Sequence, residues 1–179
     1  MRHRVVQASE WAARGGSDPV LPFCLVFGYA ETVDGKARPK LPVTVGLLAE
    51  IREQLELSEH NHLVAWAVLT MGVFGMFRLG ELLPEGDKSL VLGENSVLWV
   101  NAGHAQVMLK ASKTDPFREG VCVNLFAQLE DTVCPLAALR AVLAGRPAAM
   151  AGKPLFTLSL GSVMTRAQLV EVSCDDDRR

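Results

Sequence analysis

The chain is poor in cysteine, histidine and tyrosine, which supply many metal ligands, disulfide bridges and reactive side chains. Its 179 residues include four cysteines, four histidines and one tyrosine. The cysteines form no CxxC pair, which argues against a zinc knuckle and against a disulfide framework. His60 and His62 lie two positions apart, so on a helix their side chains would point to different faces. We therefore expect no metal, no cofactor and a reducing compartment.

Positive charge and long apolar runs are also scarce. The formal net charge is -2, so the chain lacks the overall basic excess of many nucleic-acid-binding proteins, and any DNA contact must depend on local charge. The apolar run 63–77 is shorter than the roughly 20 residues that span a bilayer. No secretory signal is recognisable at the start. We expect an intracellular protein without a membrane partner, nuclear in a eukaryote and otherwise cytoplasmic.

The length and composition fit one globular domain, or a domain with an appendage. Hydrophobic residues make up 49% and charged residues 21% of the chain, which is enough apolar material for a core. The stretch DGKARPKLP at 34–42 has prolines and basic residues that are typical of a linker, and we place the boundary near Lys40. We predict an N-terminal extension and basic linker over residues 1–40, a domain over 41–173, and a disordered tail over 174–179.

Helical periodicity and capping residues predict four helices in this domain. Thr44 can cap the first helix. Residues 60–83 are apolar nearly all round, which predicts one central buried helix ended by the following Pro-Glu-Gly. Pro135 suits the first position of a third helix. The pair Thr165 and Gln168 forms a capping box that begins a last helix.

Three short segments between the second and third of these helices have the residue pattern of β-strands. They cover residues 96–102, 105–111 and 121–126, and the first two are joined tightly enough for a hairpin. The polar loop SKTDPFREG separates the second from the third. The predicted fold class is therefore α+β, a mainly helical domain with a small three-stranded antiparallel sheet.

The uncharged run 63–77 is followed directly by Arg78, with Glu81 three positions later. An ordinary explanation is an ion pair at a helix end, where the helix dipole favours a cation. A functional explanation is an aimed guanidinium that binds an anion. The loop SKTDPFREG offers a second local concentration of basic residues, although an exposed lysine in a polar loop is also the ordinary finding.

Several motifs, taken in order, resemble the catalytic domain of tyrosine recombinases, the phage-integrase family. They are RLGELL at 78–83, LKASKTDPFREG at 109–120, CPLAALRAVL at 134–143, and PLF followed by SVMTRAQL. The resemblance covers residues 40–173. Within the family, the motifs resemble those of recombinases from eukaryotic mobile elements such as Cryptons. It predicts the N-terminal half of such a domain.

The resemblance implies a mechanism and a set of site residues. In the family a tyrosine attacks a DNA phosphodiester, arginines stabilise the charge on the phosphate, and a lysine protonates the departing oxygen. Arg78 matches the first arginine, Lys113 matches the lysine, and Glu81 would orient Arg78. Around them, the residues expected to contact DNA are Lys110, Thr114 and Arg118.

The chain departs from the family pattern in its second half. No histidine is followed three positions later by an arginine, so the HxxR motif is missing. Tyr29 precedes Arg78, whereas the nucleophile of the family follows it, and core packing is the simpler role for Tyr29. We expect negligible strand exchange. Catalytic residues that act as a unit lose nearly all of their activity when one of them is removed. An exposed apolar surface is expected where further helices would pack.

Two functions remain open. The first is a truncated or degenerate recombinase-like domain, linked by descent to DNA recombination and integration, that keeps weak contact with DNA phosphates. The second is a non-catalytic module that associates with itself or with a protein partner through an exposed apolar face. An unrelated small-molecule enzyme has little support, because the chain has no GxGxxG, GxxxxGK[ST] or GxSxG motif.

Overall fold

The computed structural model describes residues 43–83, 90–110, 119–129 and 131–172, with no side-chain description at 131 and 170–172. The predictions for residues 1–40, for Tyr29 and for the tail 174–179 fall outside these ranges. Within them the chain forms five α-helices and one sheet of three strands, which confirms the α+β class. The helices are α1 Val45–Gln54, α2 His60–Phe74, α3 Leu79–Leu82, α4 Pro135–Ala144 and α5 Arg166–Val172, and the strands are β1 Val97–Asn101, β2 His104–Leu109 and β3 Val121–Phe126.

Helix α2 is the centre of the fold. Every residue from 63 to 71 is buried, as expected for a helix that is apolar on all sides. The other four helices all contact it, and α4 makes the most extensive contact. Its first turn is tied to a later loop, where His60 Nε2 lies 2.9 Å from the carbonyl oxygen of Thr157 and Asn61 Oδ1 accepts the N–H of Ser159 at 2.9 Å. None of the helices in the described ranges combines the length and apolar character that crossing a membrane requires.

The local signals that begin three of the helices are confirmed. Thr44 Oγ1 accepts the N–H of Leu47 at 3.2 Å and caps α1. Pro135 occupies the first position of α4. At the start of α5, Thr165 Oγ1 accepts the N–H of Gln168 at 3.2 Å, and Gln168 Oε1 accepts the N–H of Thr165 at 3.0 Å.

The prediction of one helix over residues 60–83 is wrong. Helix α2 ends at Phe74, and Met76, with φ of 53°, turns the chain before α3 begins at Leu79. Phe77 then folds back over Gly75, where a Cβ atom would stand 2.3 Å from the Phe77 ring. Phe77 stays buried across the break, so the apolar pattern continues although the helix does not.

The sheet is an antiparallel meander in the order β1-β2-β3, as predicted. Its inner face carries the aligned rows Val97, Val107, Val123 and Trp99, Ala105, Leu125. Strand β3 contacts both α2 and α4, so this inner face closes the core. Exposed apolar side chains on the outer face include Leu98, Met108 and Phe126.

Candidate functional site

Arg78 is held at the start of α3 by Glu81. The Arg78 main-chain N–H donates to Glu81 Oε2 at 2.8 Å, and Arg78 Nη1 donates to Glu81 Oε1 at 3.2 Å. The Glu81 side chain is only 12% exposed, whereas the Arg78 side chain is 57% exposed. The pair therefore presents a guanidinium to solvent from a position fixed by the backbone of α3.

This position corrects the electrostatic expectation for Arg78. The residue is the N-cap of α3 and does not end a buried helix. The N-terminal end of a helix carries partial positive charge, so the helix dipole disfavours a cation here. Glu81, in the first turn of α3, supplies the negative charge that such an end prefers. The dipole therefore stabilises Glu81 and gives no reason of its own for Arg78.

Arg78 is one of the residues that line a surface depression with a volume of about 410 Å³. A second arginine, Arg166 at the start of α5, lines the same depression. All other lining residues are apolar or glycine. They come from the residues just before α1, from α2, from α3 and from the turn between α2 and α3: Val43, Val68, Leu69, Gly72, Val73, Phe77, Leu79 and Gly80.

Arg166 is a residue that the sequence analysis missed. The motif SVMTRAQL contains it, and the capping box at Thr165 and Gln168 places it in the first helical position. Nothing in the motif shows that this position faces the beginning of α3, because the two segments lie far apart in the sequence. The contact depends on how α5 packs on α2.

The structure tests the remaining predicted site residues only in part. Lys110 is exposed just after β2 and is not among the residues that line the depression. Lys113, Thr114 and Arg118 lie outside the described residues. The expectation that Arg78 and Lys113 face a common spot of anion size therefore stays a prediction.

The described part of the depression can bind an anion but offers no reactive group. Its lining contains two guanidinium groups and no hydroxyl, thiol, imidazole or carboxylate. The three histidines of the described chain are engaged elsewhere, with ring nitrogens near Thr157 for His60, near the Glu56 N–H for His62 and near Asn124 for His104. In the described ranges no three His, Cys, Asp or Glu side chains cluster to hold a metal.

Comparisons with protein-family models, with curated proteins and with solved structures find no match to this chain. The resemblance to tyrosine recombinases therefore remains a prediction from sequence motifs.

Proposed function

We propose that this protein is a recombinase-like domain that binds DNA phosphates weakly through Arg78 and does not exchange strands by itself. The observation that carries the proposal is the placement of Arg78. Its side chain is more than half exposed and bonded to Glu81, and the residue lines a depression whose described lining contains no carboxylate. The order of the motifs RLGELL, LKASKTDPFREG and SVMTRAQL in the sequence adds the link to recombination and integration.

The chemistry of a guanidinium is well suited to a phosphate group. Its planar array of N–H donors matches two oxygens of a phosphate at once, and it stays charged at every physiological pH. A contact of this kind carries no base information, so the binding should be independent of DNA sequence. With a whole-chain charge of -2, we expect affinities in the range of non-specific complexes, a Kd of about 10⁻⁴ to 10⁻⁶ M.

Salt-dependent DNA binding tests the proposal. The anisotropy of a short fluorescent duplex is measured between about 50 and 200 mM salt with the full chain and with Arg78→Ala. The variant should bind about tenfold more weakly at the low end, because a hydrogen-bonded charged contact is lost. The slope of log K against log salt should become shallower by about one.

Lys153→Ala is the matched control, since it removes one positive charge from an exposed residue outside the depression. It should leave affinity within about twofold, as expected for a distant surface charge. Equal affinity of Arg78→Ala and the unaltered chain would exclude the proposal.

The outer face of the sheet supports a second candidate, a module for protein association. Leu98, Met108 and Phe126 are 61%, 48% and 57% exposed on one side of a sheet whose other side closes the core. Apolar residues exposed on one face of a sheet favour a contact surface. If this face mediates self-association, sedimentation velocity should show a concentration-dependent larger species that Phe126→Ser removes and Arg78→Ala does not change. A monomer at all concentrations would exclude self-association.

A further inference from the structure

Strand β3 forms one free edge of the sheet. The strand order is β1-β2-β3, so β3 pairs with β2 on one side and with no strand of the described chain on the other. Four of its six residues are exposed, although β3 also contacts α2 and α4. All six pair with β2 in continuous register. The opposite edge, formed by β1, is less regular, because its register shifts between Trp99 and Asn101.

Alternate residues of β3 turn their main-chain groups to this free edge. The Ala127 N–H donates to the carbonyl oxygen of Gly103 at 2.9 Å, directly beyond the aligned pair Phe126 and His104. Hydrogen-bonded pairs alternate along antiparallel strands, so every second residue of β3 bonds β2 and the residues between them face away from it. The residues that face away are Cys122, Asn124 and Phe126.

Most of the main-chain groups at the edge are open. The Phe126 carbonyl oxygen accepts the side-chain Nε2 of Gln128 at 3.3 Å. The N–H and C=O groups of Cys122 and Asn124 and the N–H of Phe126 have no hydrogen-bond partner in the part of the chain that the structure describes. An extended segment beside β3 offers matching donors and acceptors at the same spacing.

Strand β3 has none of the features that usually prevent a sheet edge from pairing. Natural proteins protect such edges with charged side chains, prolines or bulges. The strand reads VCVNLF, without a charged residue or proline, and its pairing with β2 has no bulge. The edge is therefore suited to receive one further strand.

The side chain of Asn124 indicates what that strand should carry. Asn124 Oδ1 accepts from Gln106 Nε2 at 3.1 Å and lies 2.9 Å from His104 Nε2, and both partners belong to β2. The carbonyl half of the amide is therefore held on the side of β2. Its Nδ2 group keeps two N–H donors without a partner among the described residues, so an acceptor on the far side of β3 would complete the amide.

Apolar surface flanks this amide. Cys122 and Phe126 lie two residues before and after Asn124, so their side chains are on the same face of the strand, and both are exposed. The Phe126 ring stacks on His104 with the ring centroids 4.6 Å apart and 17° between the planes. Apolar side chains of an added strand, placed opposite these two residues, would cover hydrocarbon that β3 leaves in water.

We propose that the free edge of β3 binds an extended peptide segment of another protein, which pairs antiparallel with β3 and places a carboxylate opposite Asn124 between two apolar side chains. A carboxylate only accepts hydrogen bonds, and its bonds are stronger than those of neutral acceptors. A second copy of β3 fits less well, because a two-fold axis at Asn124 would set Nδ2 donors against each other. The inference is independent of the DNA contact assigned to Arg78, since no sheet residue is among the described lining of the depression.

Synthetic peptides test the inference without any change in the protein. The first has the order Thr-Val-Thr-Asp-Thr-Val-Thr, with a central carboxylate and a valine two positions away on each side. The second has lysine at the centre, and the third is the first peptide N-methylated at the aspartate and both valines. Fluorescence anisotropy should show that the first binds at least about tenfold more tightly than the other two.

A fourth peptide is the matched control for N-methylation. It is methylated at the two inner threonines, whose N–H groups point away from β3 in the proposed pairing. It should bind within about threefold of the first peptide, because no hydrogen bond to the edge is lost. Equal weakening by both methylation patterns would exclude main-chain pairing.

Asn124→Asp tests the role of the amide. The variant keeps an oxygen on the side of His104 and Gln106 and removes the two Nδ2 donors. It should reverse the preference, so that the lysine peptide binds about fivefold more tightly than the aspartate peptide. Leu98→Ser, which changes an exposed residue of β1 on the same face, should leave both affinities within about twofold. Far-ultraviolet circular dichroism confirms that the variants are folded.

Amide hydrogen exchange, followed by nuclear magnetic resonance, locates the bound peptide. In the free protein the N–H groups of Cys122, Asn124 and Phe126 should exchange quickly, whereas those of Val123 and Leu125 are protected by their bonds to β2. The first peptide should slow the exchange of the former three. Protection confined to other residues would place the peptide elsewhere and exclude the edge.

The remaining results decide the occupant of the edge. Binding that Leu98→Ser weakens and Asn124→Asp does not alter would place the peptide on the outer face and not at the edge. A dimer in sedimentation velocity that the first peptide dissociates would assign the edge to a second copy and overturn the proposal. No binding of any peptide at about millimolar concentration would also overturn it. None of these results changes the DNA proposal, which has its own assay.

Discussion

The carboxylate of Glu81 bonds Arg78 at two points, accepting the backbone N–H through Oε2 and the Nη1 donor through Oε1. The first bond satisfies a donor that the start of α3 would otherwise leave without a helical partner. The second partly neutralises the guanidinium that we assign to phosphate binding. One carboxylate therefore serves both the fold and the charge of the site.

Variants at Glu81 separate these two effects. Glu81→Ala should lower the free energy of unfolding by about 1 kcal/mol, because the Arg78 N–H loses its acceptor. Glu81→Gln keeps an amide oxygen for that N–H and should cost less than about 0.5 kcal/mol. Urea denaturation measures both changes.

The same Glu81→Gln variant should bind the DNA duplex about two- to threefold more tightly at low salt, because a nearby negative charge is removed. The gain should shrink as salt rises and screens the charge. Weaker binding by Glu81→Gln would mean that the orientation given to Arg78 matters more than the neutralisation.

Gly75 is required by the ring of Phe77. A Cβ atom at position 75 would stand 2.3 Å from Cε2 of Phe77 and 2.9 Å from the carbonyl oxygen of Met71. Gly75→Ala should therefore destabilise the protein by about 1 to 3 kcal/mol, the usual cost of overpacking. Far-ultraviolet circular dichroism during urea unfolding measures this as a lower midpoint.

Gly72→Ala is the control for this prediction, because it lies one turn earlier in α2 with room for a methyl group. The nearest atom to its Cβ would be Leu82 Cδ1 at 3.9 Å, an ordinary contact. This variant should be stabilised by up to about 1 kcal/mol, as expected for alanine in a helix. Equal effects at positions 72 and 75 would show that Phe77 does not restrict the turn.

The sequence predicted those parts of the fold that depend on local signals. The caps at Thr44 and Thr165 and the first-turn Pro135 act on backbone groups a few residues away, so their effect is visible in the sequence. The strand-like residue pattern likewise predicted the three strands, and each predicted end lies within two residues of the observed one.

The break between α2 and α3 was not predictable from the same kind of pattern. It depends on Met76 in a left-handed conformation and on a ring that folds back over Gly75. Methionine gives no signal for such a turn, since non-glycine residues seldom adopt it. Arg166 was missed for a related reason, because its proximity to Gly80 arises from packing between distant segments.

The buried side chain of Arg146 forms hydrogen bonds with the segment between α4 and α5. Its Nη2 atom donates to the carbonyl oxygens of Met150, Lys153 and Pro154 at 3.0, 3.0 and 2.9 Å, and Nη1 lies 3.1 Å from Glu94 Oε1. The side chain is 5% exposed. Removing the Arg146 side chain should destabilise the protein, because the carbonyl groups lose their hydrogen-bond donor without gaining water.

Arg146→Ala should consequently lower the free energy of unfolding by about 2 to 4 kcal/mol. Arg146→Lys should recover part of the loss, since an ammonium group also offers several donors. Glu94→Gln, which changes a carboxylate that is 48% exposed, should cost less than about 1 kcal/mol. A small effect of Arg146→Ala would show that the loop closes without these hydrogen bonds.

Thr165 links the stability of α5 to the position of Arg166. Its hydroxyl accepts the Gln168 N–H, and the residue immediately precedes Arg166 at the start of the helix. Thr165→Ala should cost about 1 kcal/mol through the lost cap, whereas Thr165→Ser and Thr165→Asp both keep an oxygen acceptor and should stay near the original stability.

DNA affinity should follow a different order among these three variants, because it responds to charge beside Arg166 as well as to the cap. Thr165→Ser should bind the duplex as the unaltered chain does. Thr165→Asp should bind severalfold more weakly at low salt, since it adds a negative charge at the site while preserving the helix start. If Thr165→Asp is fully folded and binds DNA as tightly as Thr165→Ser, the beginning of α5 does not face the bound phosphate.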